Sequence, residues 1–101
     1  LDLFCGAGGA TKGLQRAGFH VTGMDLKRQP RYCGDAFVQA DVLTCPVQLD
    51  GFDFIWAGPP CQDYSALKLF AGHLRGKLIQ EVRARLKAHG APFVIEIVPV
   101  V

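Results

Sequence analysis

Leu1-Asp2-Leu3-Phe4-Cys5-Gly6-Ala7-Gly8-Gly9 opens the chain, and the reading of this stretch decides the fold. Leu1 to Phe4 is a short apolar run of strand character, and Cys5 to Gly9 is a glycine-rich turn. Ala10 to Ala17 then reads as a helix, closed by Gly18 where a left-handed residue is wanted. A strand, a tight turn and a helix N-terminus gather backbone N–H groups and the positive end of the helix dipole at one point. That predicts a place for an anionic group, phosphate or carboxylate. The spacing is G-x-G, but Thr11 stands three residues after Gly8, so the dinucleotide pattern G-x-G-x-x-G is incomplete. A strand-to-helix turn without a ligand would carry the same residues.

Outward from the turn, Phe19 to Met24 reads as a second strand ending at Asp25, 17 residues after Gly8. In doubly wound nucleotide folds an acidic residue about 20 residues past the glycines bonds the ribose hydroxyls. A carboxylate suits a vicinal diol, because each oxygen accepts one O–H. The alternative is a solvated carboxylate at a strand end. Lys27 to Gly34 is polar, contains Pro30 and reads as a loop, and Ala36 to Asp41 as a short third strand or a turn. Phe52 to Ala57 is the fourth strand. Leu74, Leu78, Ile79, Val82 and Leu86 recur at helical spacing until Gly90 and Pro92 stop them, and Phe93 to Val98 is the last strand. Strands alternating with helices predict an α/β fold with a parallel sheet. Such a sheet binds ligands outside the carboxyl ends of its strands. Phe4 to Gly9, Asp25, Asp41, Cys61 and Glu96 all stand at or just after strand ends.

The fourth strand runs into Ala57-Gly58-Pro59-Pro60-Cys61-Gln62. Two prolines fix φ and remove two donors, so the ladder stops and one cysteine is held in a stiff turn. That is a way to aim a nucleophile from a strand end, although a strand-terminating turn with an incidental cysteine has the same residues.

Three stretches together resemble the cytosine-C5 methyltransferases. Asp2 to Gly9 is similar to the family's cofactor motif, and Pro59-Pro60-Cys61-Gln62, with Ser65 three residues on, to its nucleophile motif. Val94-Ile95-Glu96-Ile97-Val98 resembles the strand and Glu-Asn-Val motif that completes the catalytic centre. The order is the family's, and the resemblance covers essentially the whole chain. It implies a Rossmann-like S-adenosylmethionine-dependent methyltransferase fold, truncated after about the fifth strand, with residues 1–101 as a partial catalytic domain. Within it lie a cofactor motif at 1–25, a nucleophile loop at 57–65 and a glutamate strand at 93–98. Gly6, Gly8 and Gly9 would cradle the methionine part of S-adenosylmethionine and Asp25 its ribose. Asp41 would meet the adenine amino group, with Phe4, Leu26 and Pro59 beside the cofactor. Cys61 would attack C6 of a cytosine flipped out of DNA, and Glu96 would hold the base edge by donating a proton toward N3.

Ile97 stands where the family has asparagine, and Asp25 where glutamate is commoner. No Gln-x-Arg-x-Arg element, target recognition domain or closing helix is found, and the chain begins inside its first strand, as a fragment would. Transfer RNA is methylated by enzymes with this motif set too, so DNA and RNA both stay open as substrates. Two other readings remain: a remnant that binds cofactor without turnover, and a nicotinamide- or flavin-using domain with a redox cysteine.

Composition agrees with one modest domain: 101 residues, half of them hydrophobic, and a net charge of +2 that argues for no particular partner. Apolar runs are short and interrupted, which predicts no membrane span and no secretory leader. Cys5, Cys33, Cys45 and Cys61 form no C-x-x-C pair, and the histidines are scattered, so no metal site is expected. Four such cysteines fit a reduced, cytoplasmic protein, and the resemblance implies one encoded by a bacterium or phage. Cys5 reads as a small packing residue. Lys68, Arg75, Lys77, Arg83, Arg85 and Lys87 make the later part basic, most simply as a solvated helix face.

Overall fold

Strand β1 (Asp2–Leu3) is paired on both sides in the computed structural model, which describes residues 1–44, 49–59 and 75–97. It is followed by helix α1 (Gly9–Arg16), strands β2 (Thr22–Asp25), β3 (Ala36–Gln39) and β4 (Ile55–Ala57), helix α2 (Arg75–His89) and strand β5 (Phe93–Ile95). Short 3-10 turns at Val42–Thr44 and Leu49–Gly51 lie between β3 and β4. The sheet order is β3-β2-β1-β4-β5 and every pairing is parallel. This is a Rossmann-like α/β sheet. Its order reverses beside β1, so the crevice at which such folds bind ligands opens between the carboxyl ends of β1 and β4.

The elements follow from local chemistry. Helix α1 starts after Gly8, whose φ of 106° only glycine adopts readily, and the first intrahelical bond runs from Lys12 N–H to the Gly8 carbonyl at 2.9 Å. It ends in a Schellman motif: Gly18, at φ 100°, donates to the Gln15 carbonyl and Phe19 donates to that of Leu14. Helix α2 buries Leu78, Val82 and Leu86, one stripe at four-residue spacing, and exposes Arg83, Arg85 and Lys87. Those three basic side chains thus occupy a solvated face. The buried stripe joins Leu3, Met24 and Ile55 in the core.

The expected elements are all present, with shorter ends. The third is a strand, in register with β2 from Thr22↔Ala36 to Asp25↔Gln39. The fourth begins at Ile55 rather than Phe52, because the 3-10 turn at Leu49–Gly51 occupies the approach. Leu74, Val98 and the rest of the 57–65 loop beyond Pro59 lie outside the described residues.

The segment between β2 and β3 turns back onto the sheet. Tyr32 packs at a tilt against Phe37, with centroids 5.6 Å apart and ring planes 44° apart, and its ring covers Gly23 of β2 so closely that an alanine methyl there would lie 2.5 Å from it. A glycine inside a strand marks such a close approach. Gly34 is covered by the same ring.

Candidate active site

The turn after β1 is built before any ligand arrives. Phe4 takes φ 58°, a left-handed conformation that costs a bulky side chain on the order of 1–3 kcal/mol. The turn then closes through Cys5 N–H to the Met24 carbonyl (3.1 Å) and Gly8 N–H to the Cys5 carbonyl (3.0 Å). Gly6 N–H donates to Asp25 Oδ2 at 2.9 Å, and Lys27 N–H donates to Asp25 Oδ1 at 3.0 Å. The sequence reading expected amides free to meet an external anion. Those of Cys5, Gly6 and Gly8 are already bonded, and the negative charge at the turn is the chain's own Asp25. Each Asp25 oxygen keeps a lone pair for a further donor, which is what a ribose diol presents. A methyl group at Gly6 would meet nothing within 4 Å, so open space lies over the turn. Gly9, the first helical residue, is equally unobstructed. The residues present fit a cofactor with a diol and a flexible polar tail.

Behind the turn, Asp2 and Thr11 are the buried polar side chains among the described residues. Thr11 Oγ1 lies 2.6 Å from Asp2 Oδ2 and 3.1 Å from the Tyr32 hydroxyl. Burial raises the Asp2 carboxyl above its ordinary range, opposed chiefly by its bond with Thr11.

The β4–β5 side supplies the other candidates. Gly58 N–H donates to the Leu3 carbonyl at 3.2 Å, tying the start of the Pro-Pro-Cys loop to the end of β1. Pro59 is buried. Glu96 N–H donates to the Ala57 carbonyl at 2.8 Å, and Glu96 Oε2 lies 3.9 Å from the position a Gly58 side chain would begin to occupy. The glutamate therefore stands at the exit of the strand that leads to Cys61. Cys61 itself lies outside the described residues. Glu96 and Ile97 are exposed.

Leu26 and Asp41 sit further out, past β2 and β3. Leu26 is half-buried against the core, and Asp41 Oδ1 caps the 3-10 turn by accepting Leu43 N–H at 2.8 Å. One Asp41 oxygen is left for another donor. No group of three His, Cys, Asp or Glu side chains that could hold a metal is present among the described residues, and none of their helices is long and apolar enough to cross a membrane. A cleft of about 320 Å³ opens at the amino ends of the strands, walled by Phe19, Phe52 and Phe54. It lies at the end of the sheet opposite every candidate residue.

Cys5 is buried, and its thiol is pushed up to about 12, first by burial and then by the charges of Asp2 and Asp25. Cys33 is exposed. Iodoacetamide at neutral pH is expected to alkylate Cys33 in the native chain and leave Cys5 untouched until denaturant is added, as peptide mass spectrometry would show. Equal labelling of the two would mean that β1 does not hold the turn shut.

Residues 1–96 match the model of the family described as C-5 cytosine-specific DNA methylase. The chain belongs to this family. It is 32% identical over 101 aligned positions to the Type II methyltransferase M1.HphI of Haemophilus parahaemolyticus, covering 80% of this chain and 27% of that protein. It is 33% identical over 76 positions to the Type II methyltransferase M.AplI of Arthrospira platensis, covering 64% of this chain and 20% of that protein. The chain thus spans about a quarter or less of the length of these relatives. No solved structure gives a significant match.

Sequence reasoning missed three features of this chain. Phe4 is strained, Thr11 bridges Asp2 to Tyr32, and Tyr32 reaches back over β2. The signals were a tyrosine in an otherwise polar loop and a glycine within the second strand, neither of which names its partner.

Proposed function

We propose that the protein carrying this chain transfers a methyl group from S-adenosylmethionine to C5 of cytosine in DNA. The observation that carries the reading is the convergence of Gly6, Asp25 and Glu96 on the carboxyl edge of one parallel sheet, with Gly58 bonded to Leu3 between them. The family's description, which names DNA, favours DNA over transfer RNA.

The cofactor, when bound, supplies the methyl group as an electrophilic carbon on sulfonium sulfur. Gly6 and Gly9 leave room for its methionine part, Gly8 shapes the backbone of the turn that cradles it, and Asp25 accepts hydrogen bonds from its ribose. Asp41 accepts from the adenine amino group, and Phe4, Leu26 and Pro59 line the apolar sides. Segment 1–25 therefore acts as the cofactor half, the 57–65 loop as the nucleophile half, and strand 93–98 as the base-holding element. The Cys61 thiolate adds to C6 of a flipped cytosine while Glu96 donates a proton toward N3, which makes C5 nucleophilic. After C5 is methylated, loss of the C5 proton restores the C5–C6 double bond and expels the Cys61 sulfur.

DNA bearing 5-fluorocytosine tests this directly, since fluorine at C5 cannot leave as a proton. The protein containing this chain is expected to form a covalent adduct with such DNA only when S-adenosylmethionine is present, and Cys61→Ala to form none. An adduct that persists in Cys61→Ala would move the nucleophile elsewhere. Exposed Glu96, followed by Ile97 where the family has asparagine, favours a second reading: cofactor binding without turnover. Binding of S-adenosylmethionine with no adduct would select it.

A further inference from the structure

The cofactor turn is held from behind by the loop between β2 and β3. Cys33 N–H donates to the Ala7 carbonyl at 3.1 Å, and the Cys33 thiol donates to the Gly8 carbonyl at 3.3 Å. Tyr32, the preceding residue, fills the space over Gly23 and Gly34 and reaches Gly8, where an alanine methyl would lie 3.3 Å from its ring and 2.7 Å from the Cys33 sulfur. Gly8 thus has neither the backbone freedom nor the room to change.

The direction of the polar chain follows from the donor inventory. An ionised Asp2 can only accept, so the single Thr11 proton goes to Asp2 Oδ2 and the Tyr32 phenol must donate to Thr11. Thr11 is in the first turn of α1 and Asp2 is in β1, so the chain Tyr32→Thr11→Asp2 joins the loop, the helix start and the strand on either side of the glycine turn. Buried bonds of this kind rigidify when every member is satisfied, and no buried side-chain polar atom among the described residues lacks a partner.

We propose that Tyr32 is a positioning residue for the cofactor turn. Its hydroxyl, acting through Thr11 and Asp2, and its ring, acting on Gly8, hold residues 6–8 in the shape that places the Gly6 amide on Asp25. Tyr32 touches neither cofactor nor base in this scheme; it acts through the turn. The consequence for cofactor affinity rests on the function proposed above, whereas the hold on the turn does not.

The test uses the full chain as wild type, Tyr32→Phe, Thr11→Val and the conservative Thr11→Ser. Amide hydrogen exchange by NMR reads the turn without ligand, and titration with S-adenosylmethionine reads its use. Tyr32→Phe keeps the ring and loses one hydrogen bond. It is expected to speed exchange of the Gly6 and Cys33 amides about tenfold and to weaken S-adenosylmethionine binding about tenfold, leaving Val82 in α2 unchanged. Thr11→Val should do the same, and Thr11→Ser should restore both readouts. Unchanged exchange at Gly6 and Cys33, or equal acceleration at Gly6 and Val82, would overturn the proposal, the latter because it marks a general loss of stability. Faster local exchange with undiminished affinity would overturn the link to cofactor. If the wild type binds no S-adenosylmethionine, the proposed function fails and that link with it, and the exchange rates alone judge the hold on the turn.

Discussion

Asp25→Ala is expected to weaken binding of S-adenosylmethionine by about 100-fold or more, with a smaller cost in stability. Two effects combine. The carboxylate lost is the acceptor we propose for the ribose hydroxyls, and hydrogen bonds to a charged group are worth about 1.5–3 kcal/mol each. It is also the partner of the Gly6 and Lys27 amides, so the turn loses the bond that sets its position relative to β2. Asp25→Asn keeps one acceptor oxygen and should fall between, at about tenfold. Titration calorimetry on the three chains, each checked for folding by circular dichroism, separates the cases. A folded Asp25→Ala chain that binds S-adenosylmethionine like wild type would remove Asp25 from the site and leave it as a turn-forming residue only.

Ile55→Ala carries the largest expected effect on stability. Ile55 is fully buried in β4, between the strand that opens the glycine turn and the strand that ends just before Glu96. Truncation removes three carbon atoms and leaves a cavity that strands on both sides prevent from closing, a loss of about 2–5 kcal/mol. A domain of this size is stable by about 5–15 kcal/mol in total. Thermal denaturation should therefore show a midpoint lowered by roughly 10–30 °C, and Ile55→Val only a few degrees. A change of under about 1 kcal/mol in Ile55→Ala would mean that the core under β4 collapses around the gap. Because β4 also leads into the Pro-Pro-Cys loop, the variant should lose S-adenosylmethionine binding in step with folding, not ahead of it.

The architecture was legible because each of its parts is written locally. Gly8 and Gly18 mark the start and the end of α1, the Leu78–Val82–Leu86 spacing marks the buried face of α2, and Gly90 stops it. The short apolar runs read as strands of a parallel sheet because they alternate with helices, although Ala36 to Asp41 was equally open to a turn. Once the sheet is parallel, every strand end faces the same way, which is why Asp25 and Glu96 could be put on one edge from order alone. Strand lengths were less legible. Residues 52–54 have strand composition, yet a 3-10 turn occupies the approach and β4 starts only at Ile55.

Sequence alone determined the order and type of the elements, the glycine turn after the first strand, and the residue types gathered at the carboxyl edge. These depend on φ preferences and hydrophobic periods spanning a few residues. Tertiary structure alone decided how that edge is wired: that the Gly6 amide is bonded to Asp25 rather than left for an anion, that Glu96 stands beside Gly58, and that Tyr32 reaches Thr11 across the loop. The partners in these contacts are 19, 38 and 21 residues apart. No local preference specifies a contact at that range, because it forms only when the sheet sets its register and the core sets how closely the loop can approach.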